Sequence, residues 1–163
     1  MVRPIPRQTS QRLGELLVRK RLMTPQQLDE ALSMQRSTGE LLGAIVVRMR
    51  LVTPQALCAT LSEQFGIPHE RLRPEGVDWS IAKQFPKSAL SEGRCFPIRA
   101  DAESVTVAIA DPLDAWALSA IEQAAGFRAV KAVLVLETEL REVLARYHQQ
   151  ALRAIEARLQ HGG

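Results

Sequence analysis

The sequence predicts an α+β fold: an N-terminal four-helix subdomain made of two helical-hairpin repeats, then a small α/β subdomain with an antiparallel-containing sheet and a long C-terminal helix. Three observations predict it. One helical phrase occurs twice, "RLGELLVRKRLMTPQQLDEALSMQ" at residues 12–35 and "LLGAIVVRMRLVTPQALCATLSEQ" at residues 41–64. Its periodicity stops at "FGIPHERLRPEGVD", residues 65–78, which holds two glycines and two prolines. Beyond it, "RCFPIRA" and "SVTVAIA" alternate or run apolar in the manner of strands.

Residues 1–10 are expected to be a flexible N-terminus, and residues 11–65 to hold four helices. Leu13, Leu16 and Leu17 recur at helical spacing ahead of the first "TPQ", as do Leu42, Ile45 and Val46 ahead of the second. Each "TPQ" then starts a second helix: Thr24 and Thr53 fit the N-cap, and Pro25 and Pro54 fit the first helical position. Gln27 completes a capping box in the first copy, where the second has Ala56 and cannot. Residues 66–78 read as a linker. Residues 79–150 read as the α/β subdomain, of β-β-α-β-α order with one or two short helices ahead of it. The two strands form a hairpin around "DAES"; "DPLDAWALSAIEQAAG" is a helix ending at Gly126, "FRAVKAVLVLE" a strand, and a long helix starts near Thr138. Residues 151–163 are its end and tail.

The 163 residues are 46% apolar, enough for a real core. The N-terminal "MVRPIPRQTSQ" lacks an apolar core segment, and nowhere do 18 apolar residues run together. The sequence therefore predicts neither export nor membrane insertion, and a cytoplasmic location. Cys58 and Cys95 lie in no CxxC and are expected to be buried thiols; His69, His148 and His161 are scattered, so no metal site is expected. The net charge of +3 is uneven: 11 basic and 6 acidic residues through Arg73, then 10 basic and 12 acidic. An anionic partner would favour the first part, although arginines at helix ends also complement the helix dipole.

In the second helix of each repeat, Leu28, Leu32 and Gln35 are spaced i, i+4, i+7, as are Leu57, Leu61 and Gln64. The amide thus ends a leucine face. An amide suits a base edge or a phosphate oxygen, and leucines offer contact to rings and sugars. The same pattern equally describes core leucines and glutamines that cap a carbonyl. Gly14 and Gly43 stand at one repeat position inside helix, where each costs about 1 kcal/mol relative to Ala. Their missing Cβ would let a helix or a ligand approach closely. Arg12, two residues before Gly14, carries a planar fork of donors for a base or phosphate. Its counterpart is Leu41, so the half-sites differ chemically.

The two 24-residue phrases, separated by "RSTGE", resemble the tandem motif of the MshEN domain, found at the N-terminus of bacterial type II secretion and type IV pilus assembly ATPases. "FPIRADAESVTVAIADPLDAWALSAIEQAAGFRAVKAVLVLETELREVLARYH" is similar to the second half of that domain, including its "ADP" turn, so the resemblance covers about residues 11–148. It implies a receptor for cyclic di-GMP, each motif gripping one half of the ligand. Carried over, the first half-site is Arg12, Leu13, Gly14, Leu28, Leu32 and Gln35; the second is Leu42, Gly43, Leu57, Leu61 and Gln64. Arg12 would engage guanine or phosphate, the leucines pack on guanine and ribose, and the glutamines orient. The family often has Gly at the tenth motif place, where this chain has Arg21 and Arg50; a changed turn before "TPQ" is the expectation there.

No GxxxxGK[ST] occurs, so the chain lacks the phosphate cradle of a P-loop motor, and no nucleophile or paired-carboxylate constellation stands out. A non-enzyme is expected, either free-standing or the regulatory part of a longer ATPase. Asp111 and Asp114, flanking Pro112, read as turn and helix-start residues. The competing reading is a docking module for a secretion or pilus ATPase or platform protein, working through the helical half or the long C-terminal helix without nucleotide. DNA binding is disfavoured, because "TPQQLDEALSMQ" and "TPQALCATLSEQ" hold no basic residue to read bases.

Overall fold

The computed structural model describes residues 7–86, 90 and 94–160. It divides into two compact units, Met1–Gly66 and Ile67–Gly163.

The first unit is α1 (Arg7–Arg19), α2 (Pro25–Thr38), α3 (Leu42–Arg48) and α4 (Pro54–Phe65). Local chemistry sets the starts of α2 and α4. Thr24 and Thr53 are extended N-caps whose side chains accept from the amides of Gln27 and Ala56. In the first copy Gln27 Oε1 also accepts from Thr24 N at 2.8 Å, closing the predicted capping box. One core serves all four helices: Leu13 and Leu17 from α1, Ala31 from α2, and Leu42, Ile45 and Val46 from α3, with Met23 and Val52 from the turns.

The turns that precede "TPQ" place non-glycine residues in a left-handed conformation. Arg21 and Arg50 adopt left-handed φ values of 57° and 58°. In each copy the same pair of bonds closes the helix: Arg21 N to Val18 O and Leu22 N to Leu17 O, then Arg50 N to Val47 O and Leu51 N to Val46 O. This is the Schellman pattern, which glycine ordinarily serves. The arginines serve this turn and bear its backbone strain.

In the second unit a short 3-10 turn (Pro74–Gly76) and α5 (Trp79–Ala82) precede β1 (Cys95–Ala100), β2 (Ser104–Ile109), α6 (Ala115–Ala125), β3 (Ala129–Leu134) and α7 (Glu137–Gln160). The three-stranded sheet has the order β1-β2-β3, antiparallel between β1 and β2 and parallel between β2 and β3. Parallel pairing requires a crossover, which α6 supplies. The β1–β2 turn is built on Asp101, whose Oδ1 accepts from Glu103 N at 2.8 Å and Ser104 N at 2.6 Å. Central β2 buries Val105, Val107, Ala108 and Ile109 among its neighbours, and Leu140, Val143 and Leu144 of α7 complete the core. The stretch predicted as a linker is tied to this sheet. Leu134 N donates to Pro68 O at 2.8 Å, Glu70 N donates to Leu134 O at 2.9 Å, and Leu72, Pro74 and Val77 are buried.

Candidate functional site

A shift of 29 residues carries each predicted site residue of the first repeat onto its counterpart in the second, and the structure repeats the local geometry. Leu28 of α2 lies on Gly14 of α1, where a Cβ would meet Leu28 Cδ1 at 2.5 Å. Leu57 of α4 lies on Gly43 of α3, with the matching separation at 3.1 Å. The missing Cβ at each position therefore admits a leucine from the following helix.

The helices pack in a pattern that exchange of the two repeats leaves unchanged. α1 meets α4 as α3 meets α2, α1 meets α2 as α3 meets α4, and α1 also meets α3. A translational stack would leave α1 away from α4, so the repeats are related by an approximate two-fold. Side chains follow the same operator. Arg19 at the end of α1 approaches Glu63 of α4 at 4.0 Å, and its counterpart Arg48 at the end of α3 reaches Met34 of α2, the counterpart of Glu63, with Nη2 to Sδ at 3.1 Å.

Within this frame the predicted residues fall into three groups. Leu13 and Leu42, at 6% and 2% exposure, belong to the core. Leu28, Leu32, Leu57 and Leu61 pack on that core while remaining half-buried, so each keeps a face outside it. Arg12 is exposed on α1, and its counterpart Leu41 is 38% exposed at the start of α3. The two amides differ in setting. Gln35 Nε2 donates to the backbone oxygen of Glu40 at 3.1 Å, which is the carbonyl-capping alternative its position allowed. Gln64 is half-buried near the end of α4, with its Oε1 shut off from solvent.

Sequence reasoning missed a set of charged residues beside these groups. Lys20, with Arg19, pairs with Glu63; the Lys20 hydrogen bond and charge hold the Glu63 carboxyl below its ordinary value. Arg48 Nη1 donates to both carboxylate oxygens of Glu40, at 2.6 and 2.7 Å. These contacts join one repeat to the other, or a helix to the spacer, so no local spacing announces them. Among the described residues no three His, Cys, Asp or Glu side chains gather as a metal site would require, and no helix is long and apolar enough to cross a membrane.

Comparison with known proteins agrees with this architecture. The chain is similar to the type IV pilus assembly ATPase PilB of Myxococcus xanthus (strain DK1622), at 31% identity over 141 residues, covering 86% of this chain and 25% of that protein. It therefore spans about a quarter of the length of that relative. The structure of MshE with cdg (cyclic di-GMP) superposes with a TM-score of 0.73 at 25% identity, covering 83% of this chain and 97% of the other. The N-terminal domain of XpsE shares the fold, with a TM-score of 0.61 at 20% identity over 87% of this chain and 97% of the other. The family model of the MshEN domain matches residues 65–154, which takes in the sheet, its crossover helix and most of α7. With that match across the second unit and the tandem helical frame before it, the chain belongs to the MshEN domain family.

Proposed function

We propose that this chain is a non-catalytic regulatory domain that binds cyclic di-GMP on its tandem repeat and passes the occupancy to a secretion or pilus ATPase in the cytoplasm. The observation that carries the reading is the glycine–leucine contact made twice, on one core, under an approximate two-fold. Cyclic di-GMP is itself two-fold, so a frame that presents the same half-exposed leucines twice matches its shape. Arg12, Leu13, Gly14, Leu28, Leu32 and Gln35 form one half-site in this reading, and Leu42, Gly43, Leu57, Leu61 and Gln64 the other. Leu13 and Leu42 contribute as buried supports. The structure of MshE with cdg supports the choice of ligand.

Calorimetric titration of the purified chain with cyclic di-GMP tests the proposal. Saturable binding is expected, and Arg12→Ala, Gln35→Ala or Gln64→Ala should each weaken it about tenfold or more, the effect of losing a hydrogen bond to a charged or buried group. Absence of heat and of any thermal shift in the parent chain would reject it.

A second reading, a docking module without nucleotide, has one observation in its favour. Leu152, Ile155 and Leu159 of α7 are 60%, 47% and 76% exposed at i, i+3, i+7 spacing. The same titration separates the two.

A further inference from the structure

We infer that Arg48 is a positioning residue for the first half-site, setting the side-chain amide of Gln35 through Glu40. The inference rests on the proposed binding of cyclic di-GMP, and deepens it by assigning a role outside the predicted site residues.

Glu40 is held from several directions. Its carboxylate takes both bonds from Arg48 Nη1, at 2.6 and 2.7 Å, and its backbone amide donates to Thr38 Oγ1 at 3.2 Å. Its backbone oxygen receives Gln35 Nε2 at 3.1 Å. The same guanidinium also reaches Met34, the residue before Gln35, with Nη2 at 3.1 Å from Sδ. One planar fork on α3 thereby grips the end of α2 and the spacer that leads into α3. Nη1 takes the carboxylate and Nη2 takes Met34, so the rigid guanidinium is fixed at both nitrogens.

The geometry makes orientation the pair's main effect. Gly39 turns the chain through a left-handed φ of 73° at the end of α2, and Leu41 caps α3 with no side-chain bond. The carbonyl of Glu40 lies between these two positions, which the backbone bonds Gly39 N to Gln35 O and Ile45 N to Leu41 O tie to α2 and α3. Anchoring the Glu40 side chain points that carbonyl back at Gln35. Arg48 and Glu40 side chains are 52% and 38% exposed, and a half-exposed ion pair contributes little to global stability. Its loss should be felt where the carbonyl points more than in the stability of the fold.

Among the described residues the Arg48–Glu40 pair is not repeated in the second half-site. The residue 29 positions after Glu40 is His69, which lies in the second unit and bridges to Leu134 of β3. The counterpart of Arg48 is Arg19, whose partner is Glu63 on α4. The sequence already makes the half-sites unequal at Arg12 and Leu41, and the Arg48–Glu40 pair is a second difference between them.

The test uses Arg48→Ala, Arg48→Lys and Glu40→Gln in the full chain, with three readouts: the side-chain 1H–15N resonances of Gln35 without ligand, calorimetric affinity for cyclic di-GMP, and thermal unfolding. In Arg48→Ala and Glu40→Gln, the Gln35 resonances should move toward those of exposed glutamines, and affinity should fall about three- to tenfold, the worth of one neutral hydrogen bond. The melting temperature should fall by no more than about 4 °C. Arg48→Lys should recover only part of both effects. In a Gln35→Ala background, Arg48→Ala should add nothing, because its effect passes through the amide it positions.

A Gln35 resonance that stays in place in Arg48→Ala overturns the inference, as does a full affinity loss that persists in the Gln35→Ala background, which would mean direct contact with ligand. If the parent chain binds no cyclic di-GMP, the proposed function fails, and the ligand-free Gln35 resonance alone decides whether Arg48 sets the amide.

Discussion

Leu28 occupies the space that a side chain on Gly14 would need: a Cβ there would stand 2.5 Å from Leu28 Cδ1, 3.0 Å from Cδ2 and 3.3 Å from Cγ. Because Cγ is crowded along with both methyls, turning the isobutyl end cannot clear it, and the whole side chain must shift. Gly14→Ala gains about 1 kcal/mol of helix propensity and loses about 1–3 kcal/mol to overpacking. A net destabilisation of about 1 kcal/mol is expected and, under the proposed function, weaker cyclic di-GMP binding as Leu28 is displaced. At Gly43 the nearest approach is 3.1 Å, so Gly43→Ala should stay within about 0.5 kcal/mol of the parent. Urea denaturation of the two variants side by side checks the order; Gly43→Ala costing more than Gly14→Ala would contradict it.

Arg21 and Arg50 hold left-handed backbone conformations at φ 57° and 58°. That conformation costs a residue with a Cβ about 1–2 kcal/mol, of which glycine's greater freedom in the unfolded chain returns about 0.5–1 kcal/mol. Arg21→Gly and Arg50→Gly should therefore each stabilise the chain by about 0.5–1 kcal/mol, and additively. Thermal unfolding of the singles and the double measures this. Arg21→Ala, which keeps the Cβ, should show no comparable gain.

Two aspartates of the second unit should respond to acid in opposite senses. Asp101 accepts from the amides of Glu103 and Ser104 and from the Ser104 hydroxyl, which lowers its folded pKa. Its stabilising contribution is present above the ordinary aspartate value of about 3.9 and is lost as pH falls through the lower folded value. Asp111 is shifted upward, chiefly by burial and further by Asp114, against the Leu113 amide bond and Arg94. Its charge destabilises the fold above the raised value, and that penalty disappears as pH falls from there to the ordinary one. Asp111→Asn should thus raise stability at neutral pH and leave it unchanged in acid. Asp101→Asn should do the reverse, lowering neutral stability and flattening the acid limb. Denaturation midpoints between about pH 3 and pH 7 read both.

Cys95 sits at 1% exposure in β1, where burial first and the Asp114 charge second push its thiol up to about 11. The thiolate is the reactive form, so Cys95 should resist alkylation at neutral pH in the folded chain. Peptide mapping after iodoacetamide treatment, with and without urea, checks this; rapid labelling without urea would place Cys95 outside the core.

Much of the fold is legible in the sequence because its signals are local. Thr24 and Thr53 cap where "TPQ" says, Gly126 takes a left-handed φ of 67° after α6, and "DAES" folds on Asp101 within four residues. The arrangement of the candidate site was legible in part. The spacing of Leu28, Leu32 and Gln35, and of their counterparts, placed them on one face of each helix. It could not tell Leu13 and Leu42, which close the core, from leucines that keep an outer face. Nor could it say that the occupant beside Gly14 is Leu28.

What the sequence by itself determined is the duplicated helical frame, its caps and the α+β order, since these depend on side chains acting on backbone within a turn or two. Only the tertiary structure decided the two-fold relation of the repeats and the reach of Arg48 to Glu40 and Met34. Those depend on contacts across helix pairs, where partners lie eight or more residues apart and many pairings suit one pattern until the core is packed.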